Sequence, residues 1–347
     1  MKITHLIYSF ETGGAETMLI DIVNEQINLA DVNIVVINKK YNAGLFATID
    51  KRVKVYFINR TESSKNPYPI CKLNFLLVKL SSDVLHCHNH NIIPLLLPSF
   101  KKKACLTVHD VGITSRYFNQ YSKLFAVSKI VSDDIYNRSG FRAVLIYNGI
   151  CTEKVSKKVA CNNSDVFNVV IVSRLYHLKK GQHLAIESLR ILKEKGIGNI
   201  KLYLIGAGSS EHYLKELVAK YGLTEDVILL GLKDRDYVYA HLIDYDLLLQ
   251  PSIFEGFGLT VAEGMAAKVP VLVSDIDGPR EIIEYGKYGF HFQAGNPESL
   301  ADQLCMRMNQ SASIDQNQIV ESAYQHVINN FDIKITAAKY IQSYLSN

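Results

Sequence analysis

The sequence has few of the residues that mark fibrous, disordered or disulfide-stapled proteins. Its 347 residues include only 8 Pro, 20 Gly and 6 Cys, and they contain no short-period repeat and no low-complexity tract. The cysteines form no C-x-x-C pair and are far sparser than in a small disulfide scaffold, so we expect reduced thiols. Because 48% of the residues are hydrophobic and 21% are charged, the chain can bury a substantial core.

Long apolar runs are also missing. No segment approaches the roughly 20 apolar residues that a membrane-spanning helix needs, and the most apolar stretch, residues 91–100, is interrupted by Pro94 and Pro98. The N-terminal segment is interrupted by Thr4 and His5, which is unlike a signal peptide. We therefore expect a cytoplasmic protein that contacts a membrane only peripherally, at the inner face of the cell membrane.

Charge is divided unevenly along the chain. Residues 1–160 contain 21 Lys and Arg against 12 Asp and Glu, a net charge of +9, whereas residues 161–347 contain 17 against 22, a net charge of −5. A basic first half favours an anionic partner such as a membrane surface, a lipid phosphate or nucleic acid, although ordinary surface solvation produces the same asymmetry.

Short runs of Val, Ile and Leu alternate with longer amphipathic stretches, a pattern typical of βαβ units and a parallel sheet. The pattern occurs twice, separated by a polar segment at 148–165 that is typical of a linker. We predict an α/β fold with two doubly wound domains, and helices at the C-terminal end. The predicted strands are 3–8, 33–37, 53–58, 84–87, 104–108, 123–127, 143–147, 167–172, 201–205, 227–230, 246–250, 270–273 and 290–292, and the last helices are 298–308, 316–330 and 332–344.

Open α/β sheets bind ligands at the carboxyl ends of their strands, so the loops after strands are the places to look for chemistry. After the first strand, Gly13 and Gly14 precede Glu16 at the predicted start of a helix, where backbone N–H groups favour an anion. A tight strand-to-helix turn explains the same glycines equally well. The G-x-G-x-x-G spacing is absent, which counts against a dinucleotide-binding dehydrogenase.

Histidines follow two neighbouring strands of the first half. His86, His88 and His90 alternate, which places three imidazoles on one face if the strand continues that far. A metal site is disfavoured because no acidic or cysteine ligand lies at an obvious helix spacing, and we expect these residues to line a cleft instead. His109 follows the next strand, where we prefer contact with the cleft to a buried structural role.

In the second half, three loops combine glycine with charged residues. Arg174 and Lys180 precede Gly181, and a guanidinium together with an ammonium suits a diphosphate. Gly206 permits close backbone approach to a ligand. Glu255 lies in a later loop and Glu263 lies on the helix that follows it, and carboxylates accept hydrogen bonds from paired sugar hydroxyls.

Taken together, these segments resemble glycosyltransferase family 4, a retaining family with the GT-B fold, and the resemblance covers nearly the whole chain. The matching elements are Gly13, Gly14 and Glu16, the His109 segment, residues 125–128, residues 147–150, residues 174–181, the Glu-x7-Glu pair Glu255 and Glu263, and residues 278–281. The resemblance implies two Rossmann-like domains that face each other across a cleft. They would comprise residues 1–160 with about 331–347, which bind the acceptor, and residues 165–330, which bind the donor, with the last helix crossing back to the first domain.

The resemblance also implies roles for individual residues. Those expected at the reacting groups are His109, Glu255, Arg174 and Lys180, with Lys180 preferred over Lys179 as the diphosphate ligand. Those expected to bind the rest of the donor are Gly13, Gly14, Gly206, Glu263 and the backbone N–H groups of Phe257, Gly258 and Leu259. Candidates on the acceptor side are Glu16, His88 and His90. No metal ion or other cofactor is required, and the leaving phosphate itself accepts the proton of the acceptor.

The implied reaction is transfer of a hexosyl or N-acetylhexosaminyl group from a nucleotide sugar, with UDP preferred over GDP. The acceptor would be a glycan or a lipid-diphosphate-linked saccharide in capsule or O-antigen assembly. Lys101, Lys102, Lys103 and the apolar segment 70–80 are candidate membrane contacts, although a solvated loop and a core-packed helix explain them too. Two alternatives remain, a UDP-sugar 2-epimerase of similar shape and a non-catalytic sugar-nucleotide binding protein. Nucleic acid is disfavoured because the motifs that read it are absent.

Overall fold

The computed structural model describes residues 1–11, 13–159, 165–310 and 314–346. The chain divides into two compact units, one formed by Met1–Ile150 with Asp332–Asn347 and the other by Cys151–Phe331. The division therefore falls at the N-terminal end of the predicted linker. Residues 160–164 of that linker, Cys161 among them, lie outside the described residues, as does Thr12 beside the glycine pair.

The first unit contains a parallel sheet of seven strands in the order β3-β2-β1-β4-β5-β6-β7. The order reverses between β1 and β4, which is the switch point where doubly wound sheets bind ligands. The strands are β1 (Lys2–Ile7), β2 (Asp31–Asn38), β3 (Lys54–Arg60), β4 (Val84–Cys87), β5 (Ala104–Val108), β6 (Lys123–Ala126) and β7 (Val144–Leu145). The helices are α1 (Gly14–Gln26), α2 (Ala43–Phe46), α3 (Tyr68–Leu80), α4 (Pro98–Lys101), α5 (Lys129–Ser139) and, from the end of the chain, α14 (Ile333–Leu345).

The central strands β1 and β2 are buried along almost their whole length, which is typical of a parallel sheet covered on both faces. The predicted strand 143–147 shortens to the two exposed residues of β7, since it lies at the edge of the sheet and has few side chains to pack against.

The last helix, α14, belongs to the first unit, as predicted. The Asp332 carboxylate accepts a hydrogen bond from the Lys334 N–H at 2.9 Å and caps the helix. The Ile333 N–H donates to the Ile150 carbonyl at 2.9 Å, which joins the two distant parts of the chain. Tyr340 of α14 is fully buried, so the apolar face of the helix completes the core of this unit.

The second unit contains a parallel sheet of six strands in the order β10-β9-β8-β11-β12-β13. Its core is built from inward-facing Val, Ile and Leu on these strands and on the helices that cover them. The strands are β8 (Phe167–Val172), β9 (Ile200–Ile205), β10 (Val227–Gly231), β11 (Leu247–Gln250), β12 (Val271–Ser274) and β13 (Phe290–Phe292). The helices are α6 (His177–Lys180), α7 (Gln182–Glu194), α8 (Glu211–Lys220), α9 (Arg235–His241), α10 (Leu259–Ala266), α11 (Asp277–Ile282), α12 (Pro297–Gln310) and α13 (Ile314–Asn330).

Both units are therefore doubly wound parallel α/β structures, and this part of the prediction is confirmed. Among the residues that the structure describes, every helix is too short or too polar to cross a membrane.

Candidate functional site

Three loops at the carboxyl ends of β8, β9 and β11 are held together in the second unit by close backbone contacts. A Cβ atom on Gly206, whose φ is +143°, would lie 2.0 Å from the Ser173 carbonyl oxygen. A Cβ atom on Gly181, whose φ is +67°, would lie 1.8 Å from the Pro251 carbonyl oxygen. Both positions thus require glycine for packing, and contact of Gly206 with a donor stays a prediction.

A chain of polar side chains runs from α6 to α10. The Lys180 ammonium contacts a carboxylate oxygen of Glu255. The same oxygen accepts a hydrogen bond from Gln250 Nε2 at 3.1 Å, and Gln250 Oε1 accepts one from the Thr260 hydroxyl at 2.9 Å. Glu255 is thereby oriented from two sides before any ligand is present. Two of the expected site residues, Lys180 and Glu255, are brought together by this arrangement.

Glu263 lies on α10 and is 7% exposed, so its carboxylate is held inside the unit. Arg235 Nε lies 3.8 Å from Glu263 Oε1, and the Arg235 guanidinium stacks over the Tyr239 ring at 4.8 Å. The buried carboxyl group is thus placed beside a guanidinium. Its oxygens are hydrogen-bond acceptors for hydroxyl groups.

The residues between the two glutamates form the start of α10. Phe257 is buried, and its ring meets that of Phe331 edge to face at 5.5 Å. Gly258 precedes the helix without a side-chain cap, and Leu259 is its first residue. Because the first N–H groups of a helix have no partner inside the helix, this terminus suits an anion.

Arg174 is exposed just beyond the end of β8. Its carbonyl oxygen accepts a hydrogen bond from Gln182 Nε2 at 2.9 Å, and the same amide nitrogen donates to the Ser173 hydroxyl at 2.8 Å. These contacts fix the backbone and leave the guanidinium at the surface of the loop, where a diphosphate could meet it.

The glycine loop of the first unit begins α1 directly. Gly13 is extended at the N-cap with no side-chain cap, and the Thr17 hydroxyl donates to the Gly13 carbonyl at 2.9 Å. Glu16 lies in the first turn and is partly buried. The helix start follows β1 at the switch point, and ligand contact by Gly13, Gly14 and Glu16 stays a prediction.

The histidines of the first unit form a line rather than a strand face. His109 Nε2 lies 3.3 Å from His88 Nδ1, His88 Nε2 lies 3.0 Å from His5 Nδ1, and His5 Nε2 lies 2.8 Å from Gln26 Oε1. His88 is 5% exposed. Because both of its ring nitrogens are engaged, none remains for the acceptor contact that we expected from the sequence.

His86 is buried beside this line and has different partners. Its Nε2 lies 2.7 Å from the Thr107 hydroxyl, and its Nδ1 lies 2.5 Å from the Tyr344 hydroxyl on α14. His90 is separate from both groups, since β4 ends at Cys87 and the chain then turns. The face of three imidazoles expected at 86, 88 and 90 is therefore replaced by a cluster of His5, His86 and His88.

Burial makes these imidazoles neutral. It lowers the pKa of His5 and of His109 to about 4, and it lowers the pKa of His86 and of His88 well below the ordinary value. The ligand atoms of His5, His86 and His88 lie within 4.8 Å of one another, close enough to share a metal ion. Their rings are stacked or tilted, however, and their nitrogens already hydrogen-bond to neighbouring side chains.

Two family models cover the described sites. The model of group 1 glycosyl transferases matches residues 153–326, and the model of glycosyltransferase family 4 matches residues 12–154. The chain belongs to glycosyltransferase family 4. Glu255 and Glu263 of the second unit lie within the matched residues of this family member, as do His88 and His109 of the first, whereas His5 precedes them.

Two curated relatives carry related names. An uncharacterised glycosyltransferase of Methanocaldococcus jannaschii is 26% identical over 253 residues, which are 63% of this chain and 64% of that protein. The amylovoran biosynthesis glycosyltransferase AmsK of Erwinia amylovora is 33% identical over 168 residues, which are 47% of this chain and 40% of that protein. This family member thus matches less than two thirds of the length of either relative.

A solved structure shows the same fold. HepE of Anabaena, in complex with UDP and glucose, superposes with a TM-score of 0.81 and 21% identity, and the match covers 100% of each chain. The two doubly wound units of this family 4 member are therefore those of the GT-B fold, as predicted.

Four residues of these sites were not found by reading the sequence of this glycosyltransferase. Gln250 is the polar last residue of β11, and His5 follows Thr4 within β1, so polar residues in buried strands are a signal that could have found them. Gln26 and Arg235 lie on helices among ordinary polar residues, and nothing local distinguishes them.

Proposed function

We propose that the protein transfers a hexosyl or N-acetylhexosaminyl group from a UDP-sugar to a glycan or lipid-diphosphate-linked acceptor, with retention of configuration. The observation that carries the proposal is the set of charged groups at the carboxyl ends of β8 and β11, where Lys180, Glu255 and Gln250 are linked side by side. Family membership supplies the reaction class.

In the proposed donor site, each part of the nucleotide sugar contacts a protein group of complementary chemistry. Arg174 and Lys180 bind the diphosphate, because a guanidinium fork and an ammonium both neutralise phosphate oxygens. Glu263 accepts hydrogen bonds from the ribose hydroxyls, and Glu255 accepts them from the sugar. The N–H groups at the start of α10, from Phe257 to Leu259, add an electropositive end.

In the proposed reaction the bond between the sugar and the diphosphate breaks while the acceptor hydroxyl bonds to the same sugar carbon. Negative charge develops on the leaving phosphate, and the cations Arg174 and Lys180 stabilise that charge. The proton of the acceptor hydroxyl passes to the leaving phosphate, so no protein base and no metal ion are needed. His109 contacts the transferred sugar, while Glu16 and His90 stay candidates for the acceptor side.

The choice of UDP is supported by HepE, whose structure contains UDP and glucose. A place in surface polysaccharide assembly is supported by the name of AmsK, an amylovoran biosynthesis glycosyltransferase. The net charge of +9 in residues 1–160 fits a lipid diphosphate at an anionic membrane.

Calorimetric titration in EDTA tests the donor site directly. We expect UDP to bind the wild-type protein without metal, and Glu263→Ala and Arg174→Ala each to weaken that binding by about 10- to 100-fold, because each removes a charged hydrogen-bonding partner worth about 1.5–3 kcal/mol. GDP, ADP and NAD serve as competing ligands.

Glu298→Ala is a matched control, because Glu298 lies in the first turn of α12, away from the donor loops in sequence. Binding of NAD alone, or of none of the four nucleotides, would contradict the donor-site assignment. Turnover that produces an epimerised UDP-sugar without any acceptor would replace transfer with 2-epimerisation, and UDP binding without turnover would identify a binding protein.

The surface of α3 supplies the proposed membrane contact. Tyr68, Phe75 and Val78 are 70%, 74% and 61% exposed, and α3 carries two lysines and no acidic residue. An exposed apolar face with basic neighbours suits an anionic lipid interface. The ammonium groups of Lys101 and Lys103 already donate to Gln120 and to the Ser82 carbonyl, and on α3 that of Lys72 donates to the Phe57 carbonyl. The exposed apolar side chains of α3, rather than these lysines, therefore support the contact.

We expect the double substitution Phe75→Ser and Val78→Ser to lower affinity for phosphatidylglycerol-containing vesicles by about 100-fold, since burial of two apolar side chains contributes roughly 3 kcal/mol. Sedimentation with vesicles measures the affinity. Leu29→Ser, at a comparably exposed position of the same unit, should leave it unchanged. Equal binding by the double variant and the wild type would remove α3 from the membrane contact.

A further inference from the structure

Two imidazoles and one amide connect His109 to the interior of the first unit. The contacts run from His109 to His88, from His88 to His5 and from His5 to Gln26, at 3.3, 3.0 and 2.8 Å. His5 and Gln26 are completely buried. The line thus begins at the end of β5 and ends on α1 beneath the sheet.

The donor and acceptor roles along the line determine which nitrogen of each imidazole carries the proton. A neutral imidazole has one donor and one acceptor nitrogen, and two N–H groups cannot face each other across a hydrogen bond. Gln26 Oε1 is an acceptor, so His5 carries its proton on Nε2 and accepts at Nδ1 from His88 Nε2. His88 Nδ1 then accepts from His109 Nε2. Each of the three rings is therefore the Nε2–H tautomer.

The direction of the line depends on the orientation of the Gln26 amide. In the structure Gln26 Oε1 faces His5 Nε2 at 2.8 Å, so the amide is the acceptor of this contact. A reversed amide would donate to His5 and would place each proton of the line on Nδ1 instead. The Oε1 orientation therefore sets the direction of the line.

The last ring of the line keeps one nitrogen for a ligand. Among the residues described by the structure, only His88 hydrogen-bonds to the His109 ring, and it does so at Nε2. His109 is partly exposed, whereas the rings behind it are buried. A neutral imidazole whose Nε2 donates presents an Nδ1 lone pair, and a lone pair accepts from a hydroxyl.

We infer that Gln26, His5 and His88 form a hydrogen-bond relay that holds His109 as an acceptor, through Nδ1, for a sugar hydroxyl. The inference rests on the proposed function for the identity of the ligand, but the relay itself is a property of the unliganded protein. His88, His5 and Gln26 are positioning residues. They set the tautomer and the angle of the one ring that contacts the sugar.

A metal ion is the competing occupant of the histidine cluster. His86 and His88 stack at 4.5 Å with their planes 22° apart, and His5 and His88 stack at 5.3 Å and 27°. Rings that bind one ion point their lone pairs at a common centre, whereas stacked rings lie side by side. Both ring nitrogens of His86 are already hydrogen-bonded, Nε2 to the Thr107 hydroxyl and Nδ1 to the Tyr344 hydroxyl, so neither is available to a metal ion.

Nitrogen-15 NMR of the full chain, labelled at histidine, tests the relay without any ligand. Nδ1 and Nε2 have different chemical shifts when protonated, and the signals of His109 are identified by their loss in His109→Gln. We expect His5, His88 and His109 each to show a single Nε2–H tautomer. A protonated Nδ1 on His109, or a mixture of tautomers, would overturn the relay, as would a shift of the cluster signals on addition of Zn²⁺ alone.

Two substitutions at His88 separate positioning from packing. In His88→Gln the amide oxygen can accept from His109 Nε2 and the amide nitrogen can donate to His5 Nδ1, so the His109 tautomer should be retained and UDP release from UDP-glucose should stay within about threefold of the wild-type rate. In His88→Leu the tautomers should mix and that rate should fall by about 10- to 100-fold through misplacement of one ring.

His86→Leu is the matched control, because His86 is equally buried in the same cluster but lies outside the line. It should keep the His109 tautomer and a near wild-type rate, even if the melting temperature falls. UDP affinity should be unchanged in all three variants. Equal loss of rate in His86→Leu and His88→Leu would overturn positioning, whereas retained tautomers in a protein that binds no UDP would contradict the proposed function and leave the relay intact.

Discussion

Replacement of Lys180 by methionine is expected to lower UDP release from a UDP-sugar by about 10² to 10³-fold, which is the usual effect of removing one charge-stabilising group from a reacting centre. The reason is that the ammonium neutralises the diphosphate as it leaves. Methionine keeps the apolar stem, so most of the packing survives. Rates with UDP-glucose, UDP-galactose and UDP-N-acetylglucosamine measure the effect.

Lys179→Met is the control, because the two lysines are adjacent and differ in their contacts. The Lys179 carbonyl accepts from the Ile253 N–H at 2.8 Å, a backbone contact that the substitution preserves, whereas the Lys180 side chain contacts Glu255. Equal losses in both variants would mean that general positive charge, rather than Lys180 itself, supports the reaction.

The pairing of Lys180 with Glu255 raises the possibility of a purely structural ion pair, and a double substitution separates the two roles. Lys180→Met leaves the Glu255 carboxylate, which is 17% exposed, without its cation. Adding Glu255→Gln removes that charge and should restore thermal stability. It should not restore the rate. Recovery of the rate in the double variant would assign Lys180 to the fold alone.

Much of the fold could be predicted because it depends on local patterns. Alternation of apolar runs with amphipathic stretches predicted both parallel sheets, and the polar segment at 148–165 begins where the structure divides the chain. The errors occur at the sheet edge, where β7 is only two residues long. An edge strand has one neighbour, so its sequence carries a weaker signal than a central strand does.

The candidate sites could be predicted only as loops, since the contacts within them join residues that are distant in sequence. Arg235 meets Glu263 across 28 positions, and neither residue indicates the other. His88 illustrates the same limit, because its alternation with His86 and His90 suggested a strand face. The partners that decide its role are His5 on β1 and His109 directly after β5. Strand order, rather than spacing, brought them together.

Gly181→Ala is expected to destabilise the second unit by more than about 3 kcal/mol, or about 6–12 °C in melting temperature, and to weaken UDP binding. The φ of +67° alone strains an alanine by about 1 kcal/mol. The larger part arises from the Cβ atom, which would lie 1.8 Å from the Pro251 carbonyl oxygen. That oxygen belongs to backbone, so relief requires movement of the loop that carries Glu255.

Gly196→Ala isolates the effect of φ from the effect of the contact. Gly196 has a φ of +80°, and no described atom lies within 4 Å of a Cβ built there. Its alanine variant should therefore lose only about 1 kcal/mol and bind UDP normally. Scanning calorimetry and UDP titration of the two variants measure both quantities. If the two variants are destabilised equally, the loop after β11 moves away from the added Cβ atom at little cost and without displacing Glu255. The packing of α6 against that loop is then not what holds Lys180 and Glu255 together. If only Gly181→Ala is costly, one glycine couples the stability of the unit to the geometry of its proposed donor site.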